Sequence, residues 1–217
     1  MRHIDCKFAP DLIAVAGFQF SQQVGTFLIC NGQHVQQYGT RIYWGDGGDD
    51  PMSVIGPFFK GKLKATHTFS HDGVINISGH VQAVCYGKTY GNPGPVAFPD
   101  LSCGKGKITV YESIQLKSFS VTCGAVSPCK TAVGGSTTIN GTVSLKQASA
   151  GTGAFVSTSI AMPSSLGSTE PYLIIKKGLD SGTFTISTSK VARPTPLLIV
   201  VHSGGVTLSQ RVMITPK

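Results

Sequence analysis

Short runs of strand-forming residues, separated by turn residues, recur along the whole chain and constrain its fold more than any other feature. Residues 183–187 (TFTIS) alternate polar and apolar side chains, which is typical of a strand with one buried and one solvated face. Between such runs lie pairs such as Asn31-Gly32 and Asp72-Gly73, which accept the positive φ angles of tight turns. No apolar period of 3.6 residues persists for three helical turns. The sequence therefore predicts an all-β chain with almost no helix.

The length of the chain fits two domains of this kind. The 217 residues suffice for two domains of about 100 residues each, and the seven strands predicted in the second half match a β-sandwich of that size. The first set of strands ends near Ser113, and a new set begins at Phe119. We therefore predict two tandem Ig-like β-sandwich domains, residues 1–117 and 118–217.

Composition excludes several other classes of protein. Charged residues make up 13% of the chain, alongside 27 glycines and 12 prolines, a balance unlike that of coiled coils or disordered chains. No apolar run approaches the roughly 20 residues that a bilayer-spanning helix needs, so we expect no membrane span.

The formal net charge of +8 lies mostly in the second half of the chain. A basic domain attracts nucleic acid, anionic glycan or an acidic protein. Its cations are spread singly apart from the pair Lys176 and Lys177, and no aromatic residues interleave them as a stacking platform for bases would require. We expect no specific nucleic-acid partner, whereas an anionic glycan or a protein partner stays open.

Six cysteines suggest disulfide bonds. Two pairs bracket short segments: Cys123 with Cys129, and Cys85 with Cys103 around a Gly/Pro-rich excursion, while Cys6 and Cys30 remain. Such local brackets predict disulfides that staple loops, and hence an oxidising compartment outside the cell. Six buried, reduced thiols are the alternative. Zinc is a poor alternative, because the sequence contains no C-x-x-C pair.

The most specific stretch is residues 42–47 (IYWGDG), followed about twenty residues later by residues 67–77 (HTFSHDGVINI). The order of these two segments resembles a PKD domain over about residues 9–116. The residue types also have a structural explanation: Trp44 fills the core between two sheets, Asp46 accepts amide hydrogen bonds, and Gly47 and Gly73 adopt conformations that side chains oppose.

The second half is similar, more loosely, to the Ig-like modules repeated in bacterial surface proteins. Residues 133–136 (VGGS), 141–145 (GTVSL) and 181–186 (SGTFTI) follow that pattern of glycine-marked corners and short strands, and the similarity spans about residues 119–216. Neither resemblance implies a shared catalytic centre, so no site residue is carried over from either family.

Clustered acidic and histidine residues are the candidates for a metal site. Asp46, Asp49 and Asp50 crowd one turn, and clustered oxygens suit calcium, although the spacing and terminal Glu of an EF-hand are missing. The alternative is a solvated turn. His67 and His71 are four residues apart, but this spacing aligns ligands on a helix, and here it straddles a strand end and a turn.

Catalysis is disfavoured by the residues. Asp72 follows His71, yet no serine of the chain lies in a nucleophile motif. No phosphate-cradling loop or dinucleotide fingerprint is present either. We therefore expect neither an enzymatic activity nor a cofactor.

Three functions remain. The first is a non-enzymatic structural or adhesive surface module, a spacer and binding platform in a bacterial extracellular or cell-surface assembly, with protein partners or self-association. The second is a bacteriophage virion decoration or tail-associated protein, because residues 1–5 show no export signal. The third is an accessory carbohydrate-binding module of a secreted hydrolase, with a recognition loop at Tyr86, Tyr90 and Phe98. Inward packing of these three rings is the alternative.

Overall fold

The computed structural model describes residues 5–28, 34–55, 60–86, 95–97 and 101–217 of the chain. These ranges form strands β1 to β19 and a 3₁₀ turn at Ser164–Leu166. The all-β prediction is confirmed. Within the same ranges, no helix has the length and apolar character that crossing a membrane requires.

The chain divides into two compact units, Met1–Val110 (unit 1) and Tyr111–Lys217 (unit 2). Each unit consists of two β-sheets that enclose one hydrophobic core.

Unit 1 contains a four-stranded sheet A and a six-stranded sheet B. Sheet A has the order β1 (Asp5–Phe8), β3 (Gln19–Leu28), β7 (Lys60–Thr68), β6 (Ser53–Ile55). Sheet B has the order β2 (Leu12–Val15), β10 (Leu101–Tyr111), β8 (Gly73–Tyr86), β4 (His34–Tyr43), β5 (Asp49–Pro51), and β9 (Pro95–Ala97) also pairs with β8.

Unit 2 contains a five-stranded sheet C and a four-stranded sheet D. Sheet C has the order β12 (Thr131–Val133), β19 (Val206–Thr215), β18 (Thr195–Ser203), β14 (Ala154–Met162), β16 (Tyr172–Ile175). Sheet D has the order β11 (Leu116–Cys123), β13 (Ile139–Leu145), β17 (Ser181–Thr188), β15 (Gly167–Thr169). Strand β12 runs parallel to β19, so a strand near the start of unit 2 pairs side by side with its last strand.

The boundary between the units lies earlier than the predicted one between residues 117 and 118. Ile114 and Leu116 are buried in the core of unit 2. The Glu112 carboxylate accepts hydrogen bonds from the amides of Ala150 and Gly151, also in unit 2. These contacts place the residues from Tyr111 to the predicted boundary in unit 2. The apolar pattern of the sequence does not reveal this assignment.

Alternation along the strands builds both cores. In β13, every second residue from Ile139 to Leu145 is buried, as the period of two requires. The continuous apolar run at residues 197–201 forms the central strand β18 of sheet C. Leu197 and Ile199 are fully buried there, while Leu198 on the opposite face is half-buried.

Two disulfides lie within the described residues. Cys123 and Cys129 are bonded, as their local spacing predicts. Cys103, however, is bonded to Cys6 across a sequence separation of 97, so the predicted local bracket with Cys85 is wrong. The reason is that folding brings β1, at the edge of sheet A, beside β10 of sheet B, and sequence spacing carries no information on that approach. Cys30 lies outside the described residues, and only the backbone of Cys85 is described.

Candidate functional site

The WGDG segment forms a tight corner between β4 and β5. The Trp44 amide donates a hydrogen bond to the Gly48 carbonyl (2.8 Å), and the Gly47 amide donates to the Trp44 carbonyl (3.2 Å). Gly47 has a φ of 97°, a conformation that L side chains oppose. The Asp46 carboxylate accepts a hydrogen bond from the Gly48 amide (3.2 Å), as the residue types suggest. The corner thereby turns the chain back onto β4, where Tyr43 pairs with Asp49.

His67, near the end of β7, lies between two carboxylates of this corner. Its Nε2 is 2.8 Å from Asp46 Oδ2, and its Nδ1 is 2.9 Å from Asp50 Oδ2. The indole nitrogen of Trp44 donates to the same Asp50 oxygen (2.7 Å), and the Trp44 and His67 rings stack with centroids 4.6 Å apart. We call Trp44, Asp46, Asp50 and His67 the corner cluster. Each ring nitrogen of His67 thus lies within hydrogen-bond distance of a carboxylate oxygen.

The electrostatics of the cluster favour ionised Asp46. Burial raises the pKa of Asp46, but the His67 hydrogen bond, the Gly48 amide and the charge on His67 outweigh it and hold that pKa below its ordinary value of 3.8. The side chains of Asp46 and His67 are only 12% and 15% exposed, so solvent screens this pair less than a surface ion pair.

The three aspartates considered for calcium do not converge. Asp46 and Asp50 both face His67, while Asp49 forms an ion pair with Arg41 (2.9 Å). Among the residues that the structure describes, no group of three or more His, Cys, Asp or Glu side chains is placed to hold a metal ion. The corner cluster therefore joins β4, β5 and β7 by internal hydrogen bonds.

The two histidines considered for zinc have separate partners. Both ring nitrogens of His67 face carboxylates, whereas Nδ1 of His71 is 2.9 Å from the Ser70 hydroxyl. Ser70 and His71 are exposed neighbours in the turn before β8. A contact between sequence neighbours is set locally by the turn, unlike a nucleophile and base brought together by different strands.

The predicted recognition loop stays a prediction. Tyr90 and Phe98 lie outside the described residues. Tyr86 is the last residue of β8, and only the backbone of Tyr86 is described.

The polar outer face of sheet B was not among the sites predicted from the sequence. In β8, Ile75, Ile77 and Val81 point into the core, so the alternate residues, among them His80 and Gln82, lie on the outer face. This alternation is visible in the sequence. The pairing of β8 with β4 is not visible in the sequence, because the register that places Arg41 opposite His80 is a tertiary property.

The chain matches no known family and is only weakly similar to solved structures. No protein-family model and no curated protein matches the sequence. A protein from Corynebacterium diphtheriae described as membrane anchored aligns with 98% of the chain at 11% identity and a TM-score of 0.29, and the chain covers 57% of that protein. Domains 4 and 5 of the S-layer protein SbsC align at 12% identity and a TM-score of 0.31, with 98% of each chain covered. TM-scores this low carry no argument about function.

Proposed function

We propose that the protein is a non-enzymatic structural module that bears tension, a spacer in a bacterial extracellular or cell-surface assembly. In this proposal unit 1 is a PKD-like sandwich and unit 2 a bacterial Ig-like sandwich, and neighbouring copies or other surface proteins are the partners.

The observation that carries the proposal is the Cys6–Cys103 disulfide. It ties β1, the first described strand of unit 1, to β10, its last. Tension that enters before β1 and leaves after β10 passes through this bond, so the 97 residues of sequence separation are shielded from the load. A covalent tie between the first and last strands is what a spacer under tension needs, and disulfides persist in the oxidising space outside cells.

Unit 2 resists tension by a different arrangement. Because β12 and β19 are parallel, pulling β12 towards the chain start and β19 towards the chain end slides the strands along each other. The hydrogen bonds between them are then loaded together instead of opening one after another. The Cys123–Cys129 disulfide shortens the path into β12, since the load bypasses the loop between these cysteines.

The corner cluster supports a structural role for the polar residues of unit 1. Asp46, Asp50 and the Trp44 indole all direct their polar atoms at partners within the corner, and His67 binds both carboxylates. Side chains engaged in this way lock three strands together, which serves rigidity.

Single-molecule force spectroscopy tests the proposal on the full chain held between two handle domains. We expect the oxidised protein to release chain length from unit 2 only. Opening the Cys6–Cys103 bond by reduction should add an extension of about 320 to 350 Å, from 97 residues at about 3.3 to 3.6 Å each. An oxidised chain that releases this length in addition to the length of unit 2 would overturn the proposal.

A matched variant controls for the effect of reduction itself. Replacing Cys123 and Cys129 by serine allows only the short segment between these two residues, a separation of 6, to extend. The added extension should be about 20 Å. Replacing Cys6 and Cys103 by serine should produce the long extension without any reductant. If the two variants behave alike, the long disulfide does not carry the load.

A further inference from the structure

A groove lies on the outer face of sheet B, between β4 and β8. It has a volume of about 330 Å³ and is lined by Gly39, Thr40, Arg41, Tyr43, His80 and Gln82. The strand register places Gly39 opposite Gln82 and Arg41 opposite His80. Because Gly39 has no side chain, it leaves a gap in the row of side chains on this face.

An aromatic ring forms one wall of the groove. Tyr43 is 41% exposed, and its ring meets the His80 ring edge-on, with centroids 5.6 Å apart and an interplanar angle of 89°. Nδ1 of His80 is buried and has no hydrogen-bond partner among the described residues. Tyrosine offers a ligand both an apolar ring and a polar hydroxyl.

Positively charged side chains lie beside the groove. The Arg41 guanidinium is anchored by Asp49 (2.9 Å), and this bond leaves further N–H donors available to a ligand. Lys105 and Lys107 are exposed on the neighbouring strand β10, where they pair with Ser78 and Asn76 of β8. Residues paired across a sheet project from the same face, so these lysines share the outer face with the groove.

We propose that this groove binds an anionic glycan through one acidic sugar unit. The Tyr43 ring packs against the apolar face of the sugar, and Gln82 with the remaining Arg41 donors binds hydroxyl and carboxylate oxygens, because guanidinium groups suit carboxylates. Lys105 and Lys107 attract the acidic units that follow along the polymer. A glycan fits better than a single-stranded nucleic acid, since the groove has one exposed aromatic ring instead of a row of stacking platforms.

The binding site goes beyond the tension-bearing role and depends on other residues. It would attach the spacer to a surface polysaccharide through unit 1, whereas the mechanical role rests on the disulfides. The two proposals therefore fail separately, because the force measurement uses no glycan and the binding measurement applies no load.

Titration calorimetry on the full oxidised chain tests the site. The probes are hexamers of galacturonate, guluronate and glucuronate, with neutral cellohexaose as the reference sugar. We expect at least one acidic hexamer to bind at least about tenfold more tightly than cellohexaose, and its affinity to fall as salt rises. Failure of all three acidic hexamers to bind, or equal affinity for cellohexaose, would overturn the proposal.

Gly39→Leu is the sharpest variant, because a Cβ at position 39 would have Gln82 Oε1, at 3.7 Å, as its nearest neighbour. The new side chain has room and fills the groove without disturbing the strand. We expect it, like Tyr43→Ala, to lower the affinity by at least about tenfold while the melting temperature of unit 1 is kept.

Tyr172→Ala is the matched control, since Tyr172 is 39% exposed and belongs to unit 2. Its affinity for the acidic hexamer should equal that of the unmodified chain. Unchanged binding by Gly39→Leu, or equal losses in Tyr43→Ala and Tyr172→Ala, would show that the sugar does not occupy this groove.

Discussion

Units 1 and 2 share the same spatial order of strands in their sheets, but the chain visits the short edge strands in a different sequence in each unit. The four-stranded sheets correspond as β1-β3-β7-β6 and β11-β13-β17-β15, and the larger sheets as β2-β10-β8-β4-β5 and β12-β19-β18-β14-β16. In unit 1 the chain leaves β4 for its neighbour β5 and then crosses to sheet A, whereas in unit 2 it crosses to sheet D first and returns to β14 through β16. Long central strands thus define the shared topology, and short edge strands vary within it.

The same topology is also held together by different means. In unit 1, Phe20, Trp44 and Phe69 meet edge to face, and the corner cluster and the long disulfide add polar and covalent ties. The core of unit 2 is mostly aliphatic, and its disulfide is local. Strand order therefore does not dictate which interactions stabilise a β-sandwich.

The largest expected difference concerns the disulfides. Replacing Cys6 and Cys103 by serine should lower the free energy of unfolding of unit 1 by about 4 to 5 kcal/mol, because the bond closes a loop with a separation of 97 residues. The Cys123 and Cys129 pair closes a separation of 6, so its removal should lower that of unit 2 by only about 2 kcal/mol. Calorimetry that resolves both unfolding transitions measures the two losses. Equal losses would contradict the contrast between a long tie and a local one.

A second contrast concerns two buried glycines. A Cβ at Gly25 would collide with the backbone carbonyl of Lys7 in β1, whereas a Cβ at Gly141 would collide with the Phe184 ring. We expect Gly25→Ala to destabilise unit 1 by about 3 kcal/mol, and Gly141→Ala to destabilise unit 2 by about 1 to 2 kcal/mol, since a ring moves more readily than a strand.

Pairing Gly141→Ala with Phe184→Leu tests that explanation by chemical denaturation. The double variant should be more stable than the sum of the two single losses predicts, because the smaller side chain makes room for the methyl group. Strict additivity would contradict the collision with Phe184.

The smallest expected difference is a dependence on acid. Folding lowers the pKa of Asp46 below 3.8, so the folded state favours the ionised carboxylate. The resulting stability is present above the ordinary value of 3.8 and is lost as the pH falls through the lower pKa of the folded protein. Unit 1 should therefore lose this stabilisation at acid pH.

Asp46→Asn isolates that contribution, because it removes the titrating group. In thermal melts between about pH 5 and about pH 2, the unit 1 transition of the variant should fall less steeply than that of the unmodified chain. Identical slopes for the two proteins would exclude Asp46 as a source of the acid dependence.

Much of the fold could be predicted because its signals are local. Alternation in β13 and β17 identifies the buried face of each strand, and the Gly47 turn is visible from the types of its neighbours. The candidate site was predicted less well. Asp46 and His67 are separated by 21 residues and were assigned to separate metal hypotheses, yet they bind each other.

Local patterns in the sequence specify most of the long strands and which of their side chains are buried, because these depend on neighbours within a few residues. Short edge strands such as β1 and β12 were not predicted. Tertiary contacts bring Cys6 to Cys103, place His67 between Asp46 and Asp50, and set Arg41 opposite His80. Each of these meetings depends on the register of strands far apart in the chain. That register follows from how both sheets pack around a common core, so no short stretch of sequence contains it.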